Sequence, residues 1–582
     1  MSTSTQSVPP VAKANLLALL KPYRGLIVLL VVLSIAPNAI NLLIPKITAQ
    51  GIDTFTAGTY NFSNLTAYFV AAAVGILVFT ALQSVVQTYA SERVARDLRE
   101  KVAAKISRQS YTYIQTASPA KLLTNLTADI DSVKLFVSMA IASIISSLFL
   151  IIGASALLLM TDWKLALVVL TIIPIIGGTF FFVFRKISAL FKQRQEIIDW
   201  LNKVINESIL GASIIRVLNS QPQEQIKFTG ANTAALNTGF GILRMFAAMI
   251  PIITFVVNLA TLAVLTLGGY FIIQGEMTLG NFAAFNSYIA ILIFPIIIMG
   301  FMSNVIAQAS ASYQRVFETL EAPEEPEIGT LTSALKGQVS AENISLSFGE
   351  KTTLKDISFV SKAGTKTAII GPTAAGKSQL LSVLVGLLKP TNGSVAYDDQ
   401  LLEAYDKGSF HNQVGLVFQD SVMFNLTLRE NIAFSTTTTD AALKKAIDTA
   451  ELGDFVASLP QGLDTMVSER GNSLSGGQKQ RIMLARALAL DPKILFLDDF
   501  TARVDTNTEQ VILKNLEKNY PGITLISVTQ KIASVEQYDQ IILLMEGEIL
   551  GRGTHAELME TCPEYVQIYT SQRSTNTYEL HA

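Results

Sequence analysis

Charged residues are scarce in this sequence: only 15% of its 582 residues are Asp, Glu, Lys or Arg, and the formal net charge is -2. Proteins that bind nucleic acid through its phosphates need a basic surface, so this balance argues against a nucleic-acid partner. The single cysteine, Cys562, excludes an intrachain disulfide. The first 25 residues lack the positive, apolar and cleavable regions of a signal peptide, and we predict no removable leader.

Apolar residues, by contrast, make up 50% of the chain, and the mean hydropathy is +0.41. They are concentrated before about residue 310, where six runs are long enough to cross a bilayer as helices. Lipid cannot satisfy backbone polar groups, so each run is predicted to be helical. The predicted spans are 25–48, 63–90, 135–160, 163–184, 243–274 and 279–308.

Lysine and arginine predict the orientation of these spans. Both cluster in the connections 91–134 and 185–240, whereas residues 49–62 and 274–280 contain neither. Positive residues favour the cytoplasmic side, so we expect the long connections and both termini to lie in the cytoplasm, with the spans in the inner (cytoplasmic) membrane. The long connections also have apolar residues at helical spacing, which predicts helices that project well beyond the bilayer.

The remainder of the chain has the composition of a soluble α/β domain. Residues 321–337 combine proline, glycine and acidic residues without apolar periodicity, and we predict a linker there. The predicted domains are an N-terminal segment with a short helix at 1–24, a transmembrane domain at 25–320, the linker, and a soluble domain at 338–582.

The soluble domain contains the stretch GPTAAGKS, which follows an apolar strand and precedes a helical pattern. Its glycines let backbone N–H groups face phosphates, Lys377 can reach the β and γ phosphates, and Ser378 can ligate Mg2+. ATP and Mg2+ are therefore the predicted cofactors. The candidate residues of this loop are Gly371, Pro372, Thr373, Ala374, Ala375, Gly376, Lys377 and Ser378.

A second motif, LSGGQ, spans 474–478 and begins another helical pattern, which is followed by an apolar strand that ends at Asp498. In this combination and order the motifs resemble those of an ATP-binding cassette (ABC) half-transporter of the exporter architecture. The resemblance covers nearly the whole chain. It implies a polytopic α-helical membrane domain with six helices, followed by an α/β P-loop nucleotide-binding domain. The implied partners are ATP, the lipid bilayer and a transported small molecule or peptide.

The resemblance also implies roles for single residues. Phe348 would stack on adenine, Gln419 would reach Mg2+ and the attacking water, and Asp498 would hold Mg2+. Taken singly, such residues also have structural interpretations, such as a core aromatic or a polar strand end. The remaining implied assignments are nucleotide contact by Ser475, Gly476, Gly477 and Gln478, communication between two ATP sites by Asp505, and contact with the membrane helices by Glu469 and Arg470.

Two positions depart from the family pattern. Asp499 stands where the family has a catalytic glutamate, and the lost methylene withdraws the carboxylate by roughly an ångström, which can cost on the order of 100-fold in rate. Gln530 stands where the family usually has a histidine near the γ-phosphate, and a neutral amide stabilises developing charge less well. A smaller change is Ala374, where related loops often have glycine; we expect nucleotide binding to remain intact.

These departures predict a degenerate site that binds ATP and rarely cleaves it. The alternative is a slower but working site with Asp499 as the base. Because LSGGQ is intact, the chain can complete a competent site in a partner, and we predict a heterodimer with a second ABC half-transporter. In this respect it resembles the degenerate-site subunit of heterodimeric bacterial ABC multidrug exporters.

The predicted function is ATP-driven export of a hydrophobic or amphipathic small molecule, lipid or peptide. The alternatives are an exporter-fold importer of the siderophore type and an ATP-gated regulatory or channel-like subunit. Few ionisable residues fall in the spans, which favours an apolar or neutral substrate. Polar residues in the spans either face a cavity or bridge helices, and the sequence does not decide between the two for Asn38, Asn41, Asn258, Asn286 and Ser287.

Overall fold

The computed structural model describes residues 14–324, 329–349, 351–435, 437–468, 471 and 473–579. The chain divides into two compact units. The first, the membrane unit, contains the chain up to Arg108 and Ala117–Pro323. The second, the nucleotide unit, contains Gln109–Thr116 and the chain from Glu324 onward. The nucleotide unit is therefore assembled from two separate parts of the sequence.

The membrane unit contains six long apolar helical stretches, and each predicted span coincides largely with one of them. They run over Lys21–Thr56, Phe62–Ser107, Pro119–Thr161, Trp163–Leu210, Gln221–Ile273 and Leu279–Leu320. They are longer than the predicted spans because the helical pattern continues into the polar connections. A stretch of 46 residues, such as the second, measures roughly 70 Å at 1.5 Å per residue, more than twice the hydrocarbon thickness.

These stretches consist of shorter elements in places, since three π-helical turns interrupt them, at Asn125–Asp129, Phe136–Ala140 and Val264–Gly268. Such turns disturb the regular hydrogen-bond ladder and often lie at functional sites. The α-helices up to the end of the last stretch are α1 (Leu16–Leu19), α2 (Arg24–Thr56), α3 (Phe62–Ser107), α4 (Tyr111–Ala117), α5 (Pro119–Thr124), α6 (Ile130–Leu135), α7 (Ile141–Thr161), α8 (Trp163–Leu170), α9 (Ile172–Leu210), α10 (Ala212–Val217), α11 (Gln221–Ala263), α12 (Gly269–Ile273) and α13 (Leu279–Leu320).

Two apolar clusters hold the membrane unit together, and α13 contributes to both. One cluster includes Leu158 of α7 and Phe285 of α13, both fully buried. The other includes Val94 of α3, Val133 of α6 and Val316 of α13, which are also fully buried. Helix α13 therefore connects the two clusters, and within lipid such packing stabilises helix contacts through van der Waals interactions.

The N-terminus of α13 is held by Asp53 at the end of α2. The carboxylate of Asp53 accepts hydrogen bonds from the backbone N–H of Gly280 (2.8 Å) and from the hydroxyl of Thr278 (2.9 Å). These bonds satisfy donors that a helix N-terminus otherwise leaves unpaired. The two helices approach so closely that a Cβ atom at Gly280 would lie 2.1 Å from the carbonyl oxygen of Ala49.

This close approach predicts that Gly280→Ala destabilises the membrane unit by about 1–3 kcal/mol, because backbone must move to admit the methyl group. The matched control is Gly269→Ala in α12, where an added Cβ meets nothing within 4 Å. That change should leave stability unchanged or raise it, because alanine favours the helix. Thermal unfolding in detergent checks both, and equal melting temperatures would contradict the role given to Gly280.

The nucleotide unit contains two sheets. A four-stranded antiparallel sheet has the order β2-β1-β4-β5, and a six-stranded sheet has the order β10-β9-β3-β8-β7-β6, parallel except for β10. The strands are β1 (Val339–Phe348), β2 (Lys351–Ser361), β3 (Lys366–Ile370), β4 (Asn392–Tyr397), β5 (Gln400–Leu401), β6 (Val414–Val417), β7 (Ile494–Asp498), β8 (Thr524–Thr529), β9 (Gln540–Met545) and β10 (Glu548–Gly553).

Helices cover the parallel sheet, as its strands require. Every residue of β7 is buried, which is typical of a parallel strand that is covered on both faces. The helices of this part are α14 (Lys377–Leu384), α15 (Lys407–His411), α16 (Leu428–Ile432), α17 (Asp440–Thr449), α18 (Gly453–Ser458), α19 (Gly476–Leu488), α20 (Thr506–Asn519), α21 (His555–Thr561) and α22 (Pro563–Glu579).

The second half of the predicted linker is bound to the nucleotide unit. The backbone N–H groups of Lys336 and Gly337 donate to the carboxylate of Asp398 at 2.6 and 3.1 Å. Leu335, which is 3% exposed, donates its N–H to the side chain of Gln413 at 2.7 Å. The composition of this segment suggests a free connection, but side chains distant in the sequence hold its backbone in place.

Candidate nucleotide site

The parallel register brings four loops of the nucleotide unit to one edge of the sheet. Ile370 at the end of β3 pairs with Thr529 of β8, and Asp498 at the end of β7 pairs with Val528. Strand β6 pairs with β7 up to Val417. The residues that follow these strands therefore begin side by side at their carboxyl ends, where open α/β sheets bind ligands.

The loop between β3 and α14 has the backbone conformation that its glycines allow. Gly371 has φ +152°, and a Cβ atom there would lie 2.0 Å from the carbonyl oxygen of Leu544. Gly376 has φ +99° and forms the N-cap of α14. Pro372, Thr373 and Ala374 are exposed, whereas Ala375 is buried. The exposed loop and the helix N-terminus together form the kind of surface that binds phosphate groups.

Ala374 has φ +66°, in the left-handed region. This conformation is strained for alanine by roughly 1–2 kcal/mol, because Cβ crowds the following carbonyl. Alanine at this position, where related loops often have glycine, therefore keeps the left-handed backbone that glycine adopts readily, and the backbone at Ala374 is strained. The sequence identified the departure, but it could not show that the left-handed backbone was retained.

Lys377 is held by the carbonyls of its own loop. Its Nζ donates to the carbonyl oxygens of Gly371 and Pro372, both at 2.8 Å. Burial lowers the pKa of Lys377, and the nearby carboxylates of Asp499 and Asp498 act in the opposite direction. The ammonium group therefore lies close to both aspartates at the strand edge.

Ser378 and Asp498 bring two side-chain oxygen groups together. The Ser378 hydroxyl donates to the Asp498 carboxylate at 3.1 Å, and Asp498 is only 7% exposed. Burial raises the pKa of Asp498, and the charge of Asp499 raises it further, while the bond from Ser378 opposes both. A cation in contact with this carboxylate would stabilise its charged form.

The chemistry of these groups fits Mg2+. Hydroxyl, carboxylate and amide oxygens are available from Ser378, Asp498 and Gln419, and Gln419 is exposed just beyond β6, which neighbours β7. Mg2+ at nucleotide sites typically uses one or two carboxylates plus phosphate oxygens and water. The described residues contain no cluster of three or more His, Cys, Asp or Glu side chains that could hold a metal by itself.

Asp499 and Gln530 follow neighbouring strands at this edge. Asp499 has φ +45°, a left-handed conformation that aspartate tolerates better than most residues. Its backbone N–H donates to the carbonyl of Val528 at 2.9 Å, which fixes the start of its loop. Gln530 directly follows β8 and is exposed. The structure thus brings both departures from the family pattern to the edge that carries Lys377 and Asp498.

The LSGGQ motif forms the N-terminus of α19. The hydroxyl of Ser475 accepts from the N–H of Gln478 (3.2 Å), and the side chain of Gln478 accepts from the N–H of Ser475 (2.8 Å), a reciprocal capping box. Gly476 and Gly477 pack against Arg503. The capped end of α19 is largely exposed, so its N–H groups are oriented for an anion outside this helix.

The remaining predicted residues lie elsewhere. Phe348 ends β1 in the antiparallel sheet and is 46% exposed, which leaves its ring free to stack. Asp505 is the N-cap of α20: it accepts from the N–H of Thr508 at 2.9 Å, and this bonding lowers the pKa of Asp505. The proposed communication role of Asp505 thus coexists with a structural one. Glu469 and Arg470 lie outside the described residues.

Two positioning glutamines were not identified from the sequence. Gln480 of α19 is 1% exposed and bonds on both sides of Gln419: it accepts from the hydroxyl of Ser421 (2.7 Å) and donates to the carbonyl of Phe418 (3.4 Å). The backbone around Gln530 is held similarly by Gln572 of α22. Gln572 donates to the Gln530 carbonyl (2.7 Å) and accepts from the N–H of Ile532 (3.0 Å).

A phosphate loop, a carboxylate at the end of a strand of the same sheet and a capped LSGGQ helix occur in one chain with six apolar helices. Together they define the class of membrane transport ATPases. The family model for the ABC transporter transmembrane region matches residues 27–296, and the ABC transporter model matches residues 354–502. The uncharacterized ABC transporter ATP-binding protein YfiB of Bacillus subtilis is 32% identical over 579 residues, covering 96% of this chain and 98% of that protein. This chain belongs to the ABC transporter family.

Two further similarities concern export. The ATP-dependent lipid A-core flippase of Syntrophus aciditrophicus is 27% identical over 496 residues, covering 84% of this chain and 82% of that protein. A solved structure of a bacterial Atm1-family ABC exporter with ATP bound matches with a TM-score of 0.77 at 24% identity, covering 95% of this chain and 99% of that one. The predicted fold class is confirmed, and the protein is a multi-pass membrane protein with the ATP-binding domain of an ABC transporter.

The left-handed backbone at Ala374 predicts that Ala374→Gly raises the melting temperature modestly, because relief of strain exceeds the added freedom of the unfolded chain. Ala375→Gly is the matched control one residue away: Ala375 is 3% exposed and has no positive φ, so its replacement should destabilise by about 1 kcal/mol. Thermal unfolding of the full chain measures both. A lower melting temperature for Ala374→Gly would show that no strain is stored there.

Proposed function

We propose that this chain is the half-transporter that carries the degenerate ATP site of a heterodimeric ABC exporter. The exporter would move a hydrophobic or amphipathic small molecule, lipid or peptide out of the cell across the inner (cytoplasmic) membrane. The nucleotide unit and both termini would lie in the cytoplasm. The observation that carries this proposal is Asp499, an aspartate at the position of the catalytic glutamate, in a site whose nucleotide-holding residues are otherwise retained.

The retained residues support tight binding of ATP. Gly371 and the N-terminus of α14 offer backbone N–H groups to the phosphates, and Lys377 offers an ammonium group beside them. Ser378, Asp498 and Gln419 would hold Mg2+, which supplies positive charge against the β and γ phosphates when it is bound. Phe348, at the end of β1 in the antiparallel sheet, would stack on adenine.

The backbones of Asp499 and Gln530 are held in place, so movement of the backbone does not compensate for a shorter or an uncharged side chain. Asp499 lacks one methylene relative to glutamate, and the bond from its N–H to the carbonyl of Val528 restrains the backbone from advancing toward the phosphates. Gln530 carries no charge, and Gln572 holds its carbonyl and the N–H of Ile532, two residues further on. Both residues therefore remain in place with side chains that are too short or too weakly polar for fast hydrolysis.

The intact LSGGQ helix supports a partner with a competent site. In ABC transporters two nucleotide-binding domains enclose two ATP molecules, each between the phosphate loop of one domain and the LSGGQ of the other. The exposed, capped N-terminus of α19 can serve the ATP bound by a second half-transporter. Two copies of this chain would form two impaired sites, so a heterodimer with a complete second half accounts for turnover.

Coupling to transport is supported by the segment Gln109–Thr116. It belongs to the nucleotide unit, although the chain before and after it belongs to the membrane unit. Its Tyr111 packs against the apolar core that includes Phe359 and Leu380. A movement of the nucleotide unit therefore displaces the ends of two membrane helices, α3 and α5, to which the segment is joined. ATP binding drives closure of the nucleotide-binding domains because ATP binds their closed state more tightly than their open state.

The degenerate site predicts that the full chain, purified alone, binds ATP but hydrolyses it slowly. The double variant Asp499→Glu with Gln530→His should raise the hydrolysis rate on the order of 100-fold, because it restores the reach of the base and a charged group at the γ-phosphate. Phosphate release measures the rate, and filter binding of labelled ATP measures occupancy. Hydrolysis by the unaltered chain as fast as by the double variant would contradict the proposal.

Asp491→Glu is the control for this substitution. Asp491 also has a left-handed backbone, with φ +53°, and is exposed far along the chain from the phosphate loop. Glutamate tolerates this conformation less well than aspartate, so both Asp499→Glu and Asp491→Glu should lower stability slightly. Only the change at Asp499 should alter the hydrolysis rate.

The proposed division of labour predicts that Ser475→Ala lowers the ATPase activity of the heterodimer by at least about 10-fold, because Ser475 serves the partner's ATP. Thr554→Ala is the matched control, since Thr554 is the N-cap of α21 in an equivalent capping box with Glu557. Both changes should cost about 1 kcal/mol of helix capping. Vanadate-sensitive ATPase assays of the assembled pair distinguish them, and equal activities would exclude a role for this LSGGQ.

A further inference from the structure

Inside the membrane unit lies a cavity of about 390 Å³, within the size range of sites for drug-sized ligands. Four long helices form it: α2, α3, α7 and α13. Its wall combines carboxamides and hydroxyls with apolar side chains, and none of the described residues that line it is ionisable. The polar part of the wall consists of Asn38, Asn41, Gln83, Gln87, Ser143, Ser146 and Ser147.

Some of these polar groups already have fixed partners. The Nδ2 of Asn38 donates to the carbonyl of Ser34 (2.6 Å) and to the hydroxyl of Ser146 (2.9 Å). The Nε2 of Gln87 donates to the carbonyl of Ser138, which lies in the π-helical turn Phe136–Ala140. These bonds join α2 to α7 and α3 to the π-helical turn that precedes α7, so they shape the cavity.

Other polar groups of the wall have no partner within the described chain. Asn41 is exposed to the cavity, and Gln83 and Ser143 are half-buried at it, without a hydrogen bond to protein. Carboxamides in apolar helices carry a free-energy cost unless they are hydrogen-bonded, and such intramembrane polar groups usually have a function. Asn41 and Gln83 each offer both a donor and an acceptor, which suits the amide or hydroxyl groups of a ligand.

Other residues of the wall are apolar. Phe294 of α13 is 71% exposed, and Ile298 lies one turn further along the same face. The cavity therefore presents both hydrogen-bonding groups and apolar groups to the same ligand. A charged ligand would lose its hydration without an opposite charge to replace it, and a hydrocarbon chain would leave the amides unpaired.

Building on the proposed exporter function, we infer that this cavity is the substrate site, and that its ligands are uncharged amphiphiles with amide or hydroxyl groups on one side and an apolar group on the other. Asn41, Gln83 and Ser143 bind the polar side, and Phe294 packs against the apolar group. Charged compounds of the same size and compounds without hydrogen-bonding groups bind weakly.

The structure distinguishes the five polar residues for which the sequence left open whether they line a cavity or bridge helices. Asn38 lines the cavity and bridges two helices, and Asn41 lines the cavity. Asn286 and Ser287 donate to carbonyls of their own helix, at Phe282 and Ala283. The fifth, Asn258, is exposed on α11, a helix that contributes no described residue to the cavity wall.

The test measures binding of two isosteric probes to the full chain in lipid nanodiscs, without ATP. N-acetyl-phenylalanyl-glutamine amide is uncharged, and N-acetyl-phenylalanyl-glutamate amide differs from it by one carboxylate. We expect the uncharged probe to bind at least about 10-fold more tightly. The double variant Asn41→Leu with Gln83→Leu should weaken its binding at least about 10-fold, because two hydrogen bonds are lost.

Asn258→Leu is the matched control, because it makes the same change in an apolar helix outside the cavity. Melting temperatures exclude misfolding, and we expect no loss in the double variant, since Asn41 and Gln83 have no protein partners to lose. Equal binding of the two probes, absence of saturable binding, or wild-type binding by the double variant would each overturn the inference.

Failure of the proposed function gives a different result. In that case ATP-dependent transport is absent in sealed vesicles that contain the heterodimer, whatever the probes bind in nanodiscs. Selective binding without transport would therefore support the ligand specificity of the cavity and contradict the exporter function. Transport of other compounds that the cavity variants leave unchanged would support the exporter function and contradict the cavity as the substrate site.

Discussion

The nucleotide site depends on the parallel pairing of β3, β8, β7 and β6, because this register aligns the ends of four strands that are distant in the sequence. The phosphate loop, both aspartates, Gln530 and Gln419 all begin within a residue or two of those ends. The backbone from which each side chain projects is thereby fixed by hydrogen bonds of the sheet. A site built in this way keeps its backbone geometry when a single side chain changes.

Much of this arrangement could be predicted from the sequence, because the signals are local. Long apolar runs specify membrane helices wherever they occur, and GPTAAGKS and LSGGQ each combine a turn with a helix start that neighbouring residues determine. The capping box of Ser475 and Gln478 is an example, since both partners lie within four residues of each other.

Features that depend on distant partners could not be predicted in this way. Gln480 and Gln572 look like ordinary helical glutamines until the fold brings them against the loops of Gln419 and Gln530. The composition of residues 329–337 suggests a free linker because nothing local reveals that Asp398 and Gln413 hold it. The cavity, too, arises from four helices, and the choice between lining and bridging for Asn41 depended on which helices are neighbours.

The inclusion of Gln109–Thr116 in the nucleotide unit has a consequence for biosynthesis. During translation this segment is made long before the sheets against which Tyr111 packs. The side chain of Tyr111 therefore lacks these contacts until the C-terminal half of the chain has been synthesised. Cutting the gene at the linker would therefore leave Tyr111 uncovered in the N-terminal product and its place unfilled in the C-terminal product. The membrane unit and the nucleotide unit are therefore not two consecutive parts of the sequence.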